Sequence, residues 1–256
     1  MTVIALLQAR TSSTRLPGKV LKPLLGEPMI LRQIERLRRV RNIDRLMVVT
    51  SVRPSDDPLA VCCEGAGVEV FRGSLDDVLD RFYSAVRDAC PQHVVRLTAD
   101  CPLTDPEVID AVIDFYRDGD YDYASNVLQP TYPDGLDVEV FRFSVLESIA
   151  HEATLPSQRE HVTSFIYQHP ERFRLGGLTY EKDLSALRWT VDEPADLTFV
   201  EAVYDALYHD NPTFAMADVL QLLAQRPELM EINAGQLRNA GYLKSLVQDE
   251  QQPRKV

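Results

Sequence analysis

Four times in its first 118 residues the chain repeats one unit: a short apolar, β-branched run, then a stretch that favours helix. The runs are "VIALL" at 3–7, "RLMVVTS" at 45–51, "VEVF" at 68–71 and "HVVRLTA" at 93–99. After the first run, Ile30, Ile34 and Leu37 fall at helical spacing. After the second, a helix start at Ser55 is closed off by Gly65 and Gly67. The third is followed by an amphipathic 76–90 carrying Val78, Phe82, Ala85, Val86 and Ala89, and the fourth by 105–118. Such alternation predicts an α/β fold with a mainly parallel sheet and helices on both faces, since parallel neighbours need crossovers long enough to hold a helix. Ligands of such sheets bind outside the carboxyl ends of the strands, near a switch in strand order. The loops after residues 7, 51, 71 and 99 therefore form the expected functional edge.

Beyond residue 118 the rhythm changes. "YDYASN" (121–126) and "LDVEVF" (136–141) read as two strands around "QPTYPDG", expected to form a small hairpin insertion. Helices near 143–151 and 157–168, a strand near 173–179 and a helix near 195–208 follow. The tail from about 213 reads as helical and ends in the polar, frayed "QDEQQPRKV". At 256 residues the chain can bury one full core, and no linker separates autonomous parts. We read 1–256 as a single domain with a first half to about 118, a second half over about 119–210, and a helical tail over about 213–256.

Composition narrows the partners. A formal net charge of −12 excludes non-specific attraction to nucleic acid or anionic membrane. No run of about 18 apolar residues suggests a transmembrane helix, and "MTVIALLQAR" reads as a buried strand rather than a secretory signal. Cys62, Cys63, Cys90 and Cys101 have no metal-ligand spacing and read as reduced thiols of a cytoplasmic protein.

Against that acidity stands "QARTSSTRLPGK" (8–19), within a first 26 residues that contain no Asp or Glu. Arginine forks grip phosphate oxygens in pairs, lysine supplies a point charge, and hydroxyls fill the remaining acceptor directions. Arg10, Ser12, Ser13, Arg15 and Lys19 thus form a candidate triphosphate cradle. The loop is neither GxGxxG nor GxxxxGK[ST], so no dinucleotide fingerprint or P-loop is written there. On composition alone a merely solvated basic loop fits as well.

"LLQARTSSTRLPGKVLKPLLGEPMI" resembles the opening signature of the cytidylyltransferases that make CMP-activated sugars, among them CMP-Kdo and CMP-acylneuraminate synthetases, and above all their spore-coat-polysaccharide branch. "RLTADCPLTDPEVID" (96–110), "YPDGLDVEVF" (132–141), "REHVT" (159–163), "WTVDEPADL" (189–197) and "NAGYLKSL" (239–246) extend the resemblance collinearly over nearly the whole chain. The resemblance implies a Rossmann-like nucleotidyltransferase fold, with the first half binding nucleotide and the second holding the acceptor and a dimer contact. It implies Mg²⁺-bound CTP over the first loop, with Arg10, Ser13 and Lys19 on the phosphates, Ser12 and Arg15 beside them, and Leu7 and Ala9 at the strand end. It also makes Asp100 and Asp192 partners at the metal, and Arg10, Lys19, Asp100 and Asp192 the catalytic set. From residues alone, Asp100 after a strand would equally suit a turn cap and Asp192 a helix N-cap.

"FRGSLDDVLDRF" (71–82) departs from the Ser-Gly-Thr-Asp-Arg run of the CMP-Kdo synthetases and agrees only at Asp80-Arg81. Arg72 and Asp77 are the nucleotide candidates there, with an Asp-rich helix start as the plain alternative. Acceptor candidates are Asn126, Asp134, Asp137, Glu139, Arg159 and Glu160, while His161 reads as structural. The expected reaction is in-line attack of a sugar or sugar-acid oxygen on the α-phosphorus of CTP, releasing pyrophosphate, in the service of surface polysaccharide or glycoconjugate synthesis. The resemblance further implies a homodimer, with its interface expected near 121–141. Two alternatives remain at this point: a glycosyltransferase using Asp118-Gly119-Asp120 or Asp120-Tyr121-Asp122 as a DxD metal site, and a nucleotide-binding protein without turnover.

Overall fold

The structure is a computed structural model and describes residues 2–235 together with Ser245 and Asp249. Nine strands and nine α-helices are defined among them. The strands are β1 (Val3–Gln8), β2 (Pro23–Leu24), β3 (Glu27–Pro28), β4 (Arg45–Ser51), β5 (Glu69–Gly73), β6 (His93–Thr98), β7 (Tyr123–Ser125), β8 (Glu139–Arg142) and β9 (Leu175–Gly177). The helices are α1 (Met29–Leu37), α2 (Asp57–Gly65), α3 (Val78–Val86), α4 (Pro106–Asp118), α5 (Phe143–Glu152), α6 (Pro156–Glu160), α7 (Ser164–Gln168), α8 (Pro194–Leu207) and α9 (Met216–Gln225). β2 and β3 form a separate two-stranded ribbon. The other strands build one seven-stranded sheet in the order β5-β4-β1-β6-β8-β7-β9, with only β8 antiparallel to its neighbours.

Period-two alternation explains why β1 sits at the centre. Val3, Ala5 and Leu7 point to one face, against α1, α2 and α4, and Ile4 and Leu6 point to the other, against α3, α5 and α7. A strand apolar on both sides must be covered on both sides. A third cluster around Trp189, Phe199, Tyr204, Phe214 and Leu223 packs α8 and α9 against Met29 and Leu103. From β1 the chain runs outward to β4 and β5, then returns to β6 on the other side of β1. The order of strands therefore switches between β1 and β6, and the loops following these two strands straddle the switch.

Three details differ from the sequence reading. The β7–β8 pair is antiparallel as expected, but it is not an insertion: it extends the central sheet, because Val140 and Phe141 bury on its two faces. The stretch read as one helix over 157–168 is two short ones. Val162 takes a φ of 57° between them, which breaks the helix and lets the Thr163 hydroxyl donate to Glu139. In the tail, α9 is followed by a 3-10 turn over Pro227–Glu231. "NAGYLKSL", apart from Ser245, and "QDEQQPRKV", apart from Asp249, lie outside the described residues.

Candidate active site

The basic loop is built by a few local choices. Gly18 adopts a φ of 67°, which a side chain would disfavour, and its N–H donates to Thr11 O at 2.9 Å. Ser13 N donates to the same carbonyl, and Ser13 Oγ accepts from Leu16 N at 3.2 Å, while Leu16 buries beneath the loop. The root of the loop is fixed by buried Asp56, which accepts from Thr11 N (2.8 Å), Thr11 Oγ1 (2.6 Å) and the Ser51 hydroxyl. Burial pushes the Asp56 carboxyl up, yet the bonds from Ser51 and Thr11 outweigh it and hold the group below its ordinary value.

Pro17-Gly18 turns the chain so that Lys19 opens a 3-10 turn with its side chain inward. Its Nζ donates to Asp100 Oδ2 at 3.1 Å, Asp192 Oδ1 at 2.8 Å and Val191 O at 2.8 Å. Asp100 follows the carboxyl end of β6, and Asp192 precedes α8, whose N-cap is Glu193 rather than Asp192. Val191 N donates to Asp100 O at 2.7 Å, which sets the two segments side by side. Burial alone would lower the Lys19 pKa, but Asp100 and Asp192 together raise it, so it stays an ammonium. Conversely, burial would raise the Asp100 pKa, and Lys19 with the neighbouring hydrogen bonds holds it well below the carboxylate range. Arg15 adds a second cation on Asp192 Oδ1 at 2.9 Å.

Arg10, at the start of the basic loop, lines a cavity of about 390 Å³ together with Ser74, Leu75, Asp76, Asp77, Pro156, Arg159 and Glu160. The cavity brings together residues singled out separately for phosphate, nucleotide and acceptor. Among the described residues Arg10 makes no side-chain hydrogen bond or ion pair. Arg81 is fully buried and donates through Nη1 to O of the lining residue Ser74, while among the described residues its Nε and Nη2 have no partner. Burial, with Arg10 as a like charge, lowers its pKa to about 10. Arg10, a cation in the lining without a hydrogen-bond or ion-pair partner among the described residues, makes the cavity receptive to anions.

Several sequence candidates have commitments elsewhere. Asp77 caps α3 by accepting from Asp80 N, and Arg159 grips it from α6 through Nε (2.9 Å) and Nη2 (2.7 Å). With Nη1 on Ala150 O as well, Arg159 braces the wall of the cavity, so its expected pairing with an acceptor anion meets prior partners. Arg72 ties β5 back to the end of β4 and the start of α2 through Ser51 O (2.9 Å) and Asp57 (2.5 Å). Asn126 clamps the 126–138 loop through Leu136 O and Val138 N, each bond within 2.9 Å. Glu139 is buried under Arg96, Tyr123 and Thr163. Glu160 accepts from Ser245 Oγ at 2.9 Å. Ser12 is exposed, Leu7 and Ala9 are buried at the end of β1, and Asp137 is half-buried. Asp134 faces Arg188 at 3.0 Å.

Sequence reading missed Arg188, Asp196, Thr11, Asp56 and Arg81. For Arg188 the i, i+4 spacing to Asp192 and then to Asp196 was a usable signal; for Thr11–Asp56 there was none, since the partners are 45 residues apart. The DxD candidates are excluded by topology. β7 runs parallel to β6, so Asp120 and Asp122, which precede it, lie at the opposite edge of the sheet from Asp100. There they pair with Arg142.

An ammonium between a carboxylate after a strand and one before a helix, on a hydroxylated basic loop at a topological switch point, is an arrangement suited to a nucleotidyltransferase. The cytidylyltransferase family model matches residues 4–221, and the chain belongs to that family. It is similar to the spore coat polysaccharide biosynthesis protein SpsF of Bacillus subtilis, at 34% identity over 88% of this chain and 95% of that protein. A solved cytidylyltransferase from Leptospira borgpetersenii superposes with a TM-score of 0.86 at 30% identity, covering 93% of this chain and all of the other. The CMP:2-keto-3-deoxy-manno-octonic acid synthetase solved with CTP shares the fold, at a TM-score of 0.63 and 18% identity over 80% of this chain and 99% of that one. The protein is thus a nucleotidyltransferase of the cytidylyltransferase type. Among the described residues no helix is long and apolar enough to cross a membrane.

Proposed function

We propose that the protein transfers CMP from CTP to a sugar or sugar-acid acceptor and releases pyrophosphate, in the cytoplasm and in the service of polysaccharide or glycoconjugate synthesis. The observation that carries this reading is Lys19 Nζ shared between Asp100 and Asp192 at the mouth of the basic loop. That CTP is the donor is supported by the CTP complex of the structural relative. The acceptor class is supported by the names of SpsF and of that synthetase.

The donor set fits Mg²⁺. Two carboxylates stand close enough to share one ammonium, and among the described residues no group of three or more His, Cys, Asp or Glu side chains forms a cage. Mg²⁺ prefers one or two carboxylates with phosphate oxygens completing its shell. Asp100 and Asp192 would hold it, and when bound it would polarise the phosphate and lower the pKa of an acceptor hydroxyl. The rest falls to the chain. Arg10, Arg15 and Lys19 surround the triphosphate with fixed positive charge as negative charge moves onto pyrophosphate. Ser13 and Thr11 hold the loop so that this charge needs no rearrangement during the reaction. The cavity between α3 and α6, with Arg10 and Arg159 in its lining, orients the remainder of the substrates for in-line attack. A homodimer through the region around 121–141 belongs to the same proposal.

The test is a panel of CTP, UTP, ATP, GTP and dTTP, each with and without Mg²⁺, on wild type and Asp100→Ala, read by thermal shift and by pyrophosphate release with sugar acids. A ligand at about 100 times its dissociation constant adds roughly 2.7 kcal/mol. Stabilisation by CTP above the other nucleotides, weakened in Asp100→Ala, is expected. No response to CTP with or without acceptor would refute the reading.

A further inference from the structure

Arg188 lies under the site and is absent from the catalytic set above. Its side chain is only 9% exposed, and its guanidinium touches three carboxylates from two pieces of chain. Nη1 donates to Asp134 Oδ2 at 3.0 Å, in the loop joining β7 to β8. Nη2 donates to Asp192 Oδ2 at 3.2 Å. Nε and Nη2 together clasp fully buried Asp196, at 2.9 and 3.0 Å, in the first turn of α8. Asp196 Oδ2 in turn accepts from Asp192 N at 2.9 Å. Asn233 closes the group, donating to Arg188 O and Asp196 Oδ1.

The two oxygens of Asp192 are thereby divided. Oδ1 faces Lys19 and Arg15, and Oδ2 faces Arg188. Held at the backbone N–H and at both oxygens, the carboxylate has one orientation. Arginine suits this place and lysine does not: a planar fork satisfies a bidentate partner and two further acceptors at once, whereas an ammonium on a flexible stem is a single point of charge. Asp134 brings a second consequence. Its loop is laced to the segment before Asp192 by Asp134 N to Leu187 O (2.9 Å) and Trp189 N to Asp134 O (2.6 Å).

We propose that Arg188 is a positioning residue that orients Asp192 and couples the 126–138 loop to it, so that a change in that loop is felt at the nucleotide site. The inference rests on the CTP-dependent reading above. It differs from it in making a residue that touches no substrate set the efficiency of the site.

The experiment uses Arg188→Lys, Asp134→Asn and Asp192→Asn, alone and in pairs, in the whole protein. Three properties are read: urea stability without ligand, CTP affinity with and without Mg²⁺ by calorimetry, and kcat and KM from pyrophosphate release. Arg188→Lys keeps the charge and is expected to remain folded. It should lower kcat and the Mg²⁺-dependent gain in CTP affinity by about 10- to 100-fold, the usual effect of releasing a metal ligand's supporting partner. CTP affinity without Mg²⁺ should change less than about twofold. Asp134→Asn, which leaves Asp192 untouched, should show the same split at about 3- to 10-fold. In the Asp192→Asn background Arg188→Lys should reduce the Mg²⁺-dependent gain no further, and the two changes should also be non-additive in ligand-free stability. If Arg188→Lys acts equally in both backgrounds, or lowers affinity and turnover only in proportion to lost folded protein, the positioning role is overturned. Should Arg188→Lys fail to fold, an Asp134→Asn variant with unchanged kcat and Mg²⁺-dependent affinity overturns it alone. Wild type that binds no CTP refutes the nucleotidyl reading, and this one with it.

Discussion

Gly135 is where the 126–138 loop presses hardest on the segment that carries Asp192. Its φ is 112°, and a Cβ built there would stand 2.6 Å from Thr190 N and 2.7 Å from Trp189 C. Both neighbours are backbone, so neither can swing aside. Restoring ordinary contact requires an opening of about 0.8 Å, from 2.6 to 3.4 Å. The hydrogen bond from Trp189 N to Asp134 O, now 2.6 Å, then stretches to about 3.4 Å and weakens, and its companion to Leu187 O loosens with it. A non-glycine residue in this backbone region costs about 1–3 kcal/mol, and each weakened hydrogen bond about 0.5–1.5 kcal/mol. Gly135→Ala should therefore destabilise the protein by about 3 kcal/mol. For a chain of this size that lowers Tm by about 6–12 °C. The assay is direct, because Trp189 is the chain's single tryptophan, fully buried three residues before Asp192, and its fluorescence reports this region. Gly65→Ala is the control: it ends α2 with no heavy atom within 4 Å of the added Cβ and no positive φ, so it should be neutral or slightly stabilising. Gly135→Ala melting within about 2 °C of wild type would show that the loop yields freely, and would remove the argument that it braces the site.

Lys19→Met should abolish pyrophosphate release and destabilise the ligand-free protein by about 1–3 kcal/mol, because Asp100 loses its cation while Asp192 keeps Arg15 and Arg188. Adding Asp100→Asn to it should recover most of that stability in urea melts; a further loss instead would contradict the pairing. Asp56→Asn should cost about 1.5–3 kcal/mol at pH 7, the range for hydrogen bonds to a charged group. The Asp56 pKa is lowered on folding, so its contribution is present above the unfolded value of about 3.9 and fades as pH falls through the folded one. The gap between wild type and Asp56→Asn should accordingly be flat from pH 7 to 5 and narrow below about pH 4, and a gap that stays constant to pH 3 would refute the charge argument.

What the sequence discloses of this protein follows the range of the forces involved. β4 is legible to the residue because an apolar, β-branched run is a local signal, and α4 because Asp105 caps it, Pro106 starts it and Gly119 ends it. The basic loop is legible for the same reason, as are Asp100 and Asp192 as carboxylates at element ends. The break at Val162 is not: "SQREHVTSFIYQ" carries helix-compatible residues throughout, and the turn is imposed by Glu139, whose buried charge draws the Thr163 hydroxyl from another part of the chain. The acceptor candidates show the same limit from the other side. Arg159, Glu139, Asn126 and Asp134 are polar residues in quoted motifs, and such residues invite assignment to a ligand. In the fold each meets a protein partner, at separations in sequence of up to 82 residues. A polar residue's chemistry is written in the sequence, but whether that chemistry is already satisfied depends on long-range packing. Arg10 inverts the case: among the described residues its side chain makes no hydrogen bond or ion pair, and its place in the cavity lining gives the sequence expectation weight. Where a family motif names polar residues, unsatisfied hydrogen-bonding capacity in the folded chain is the better guide to which of them face a substrate, and those already saturated, like Arg188, are better sought as supports.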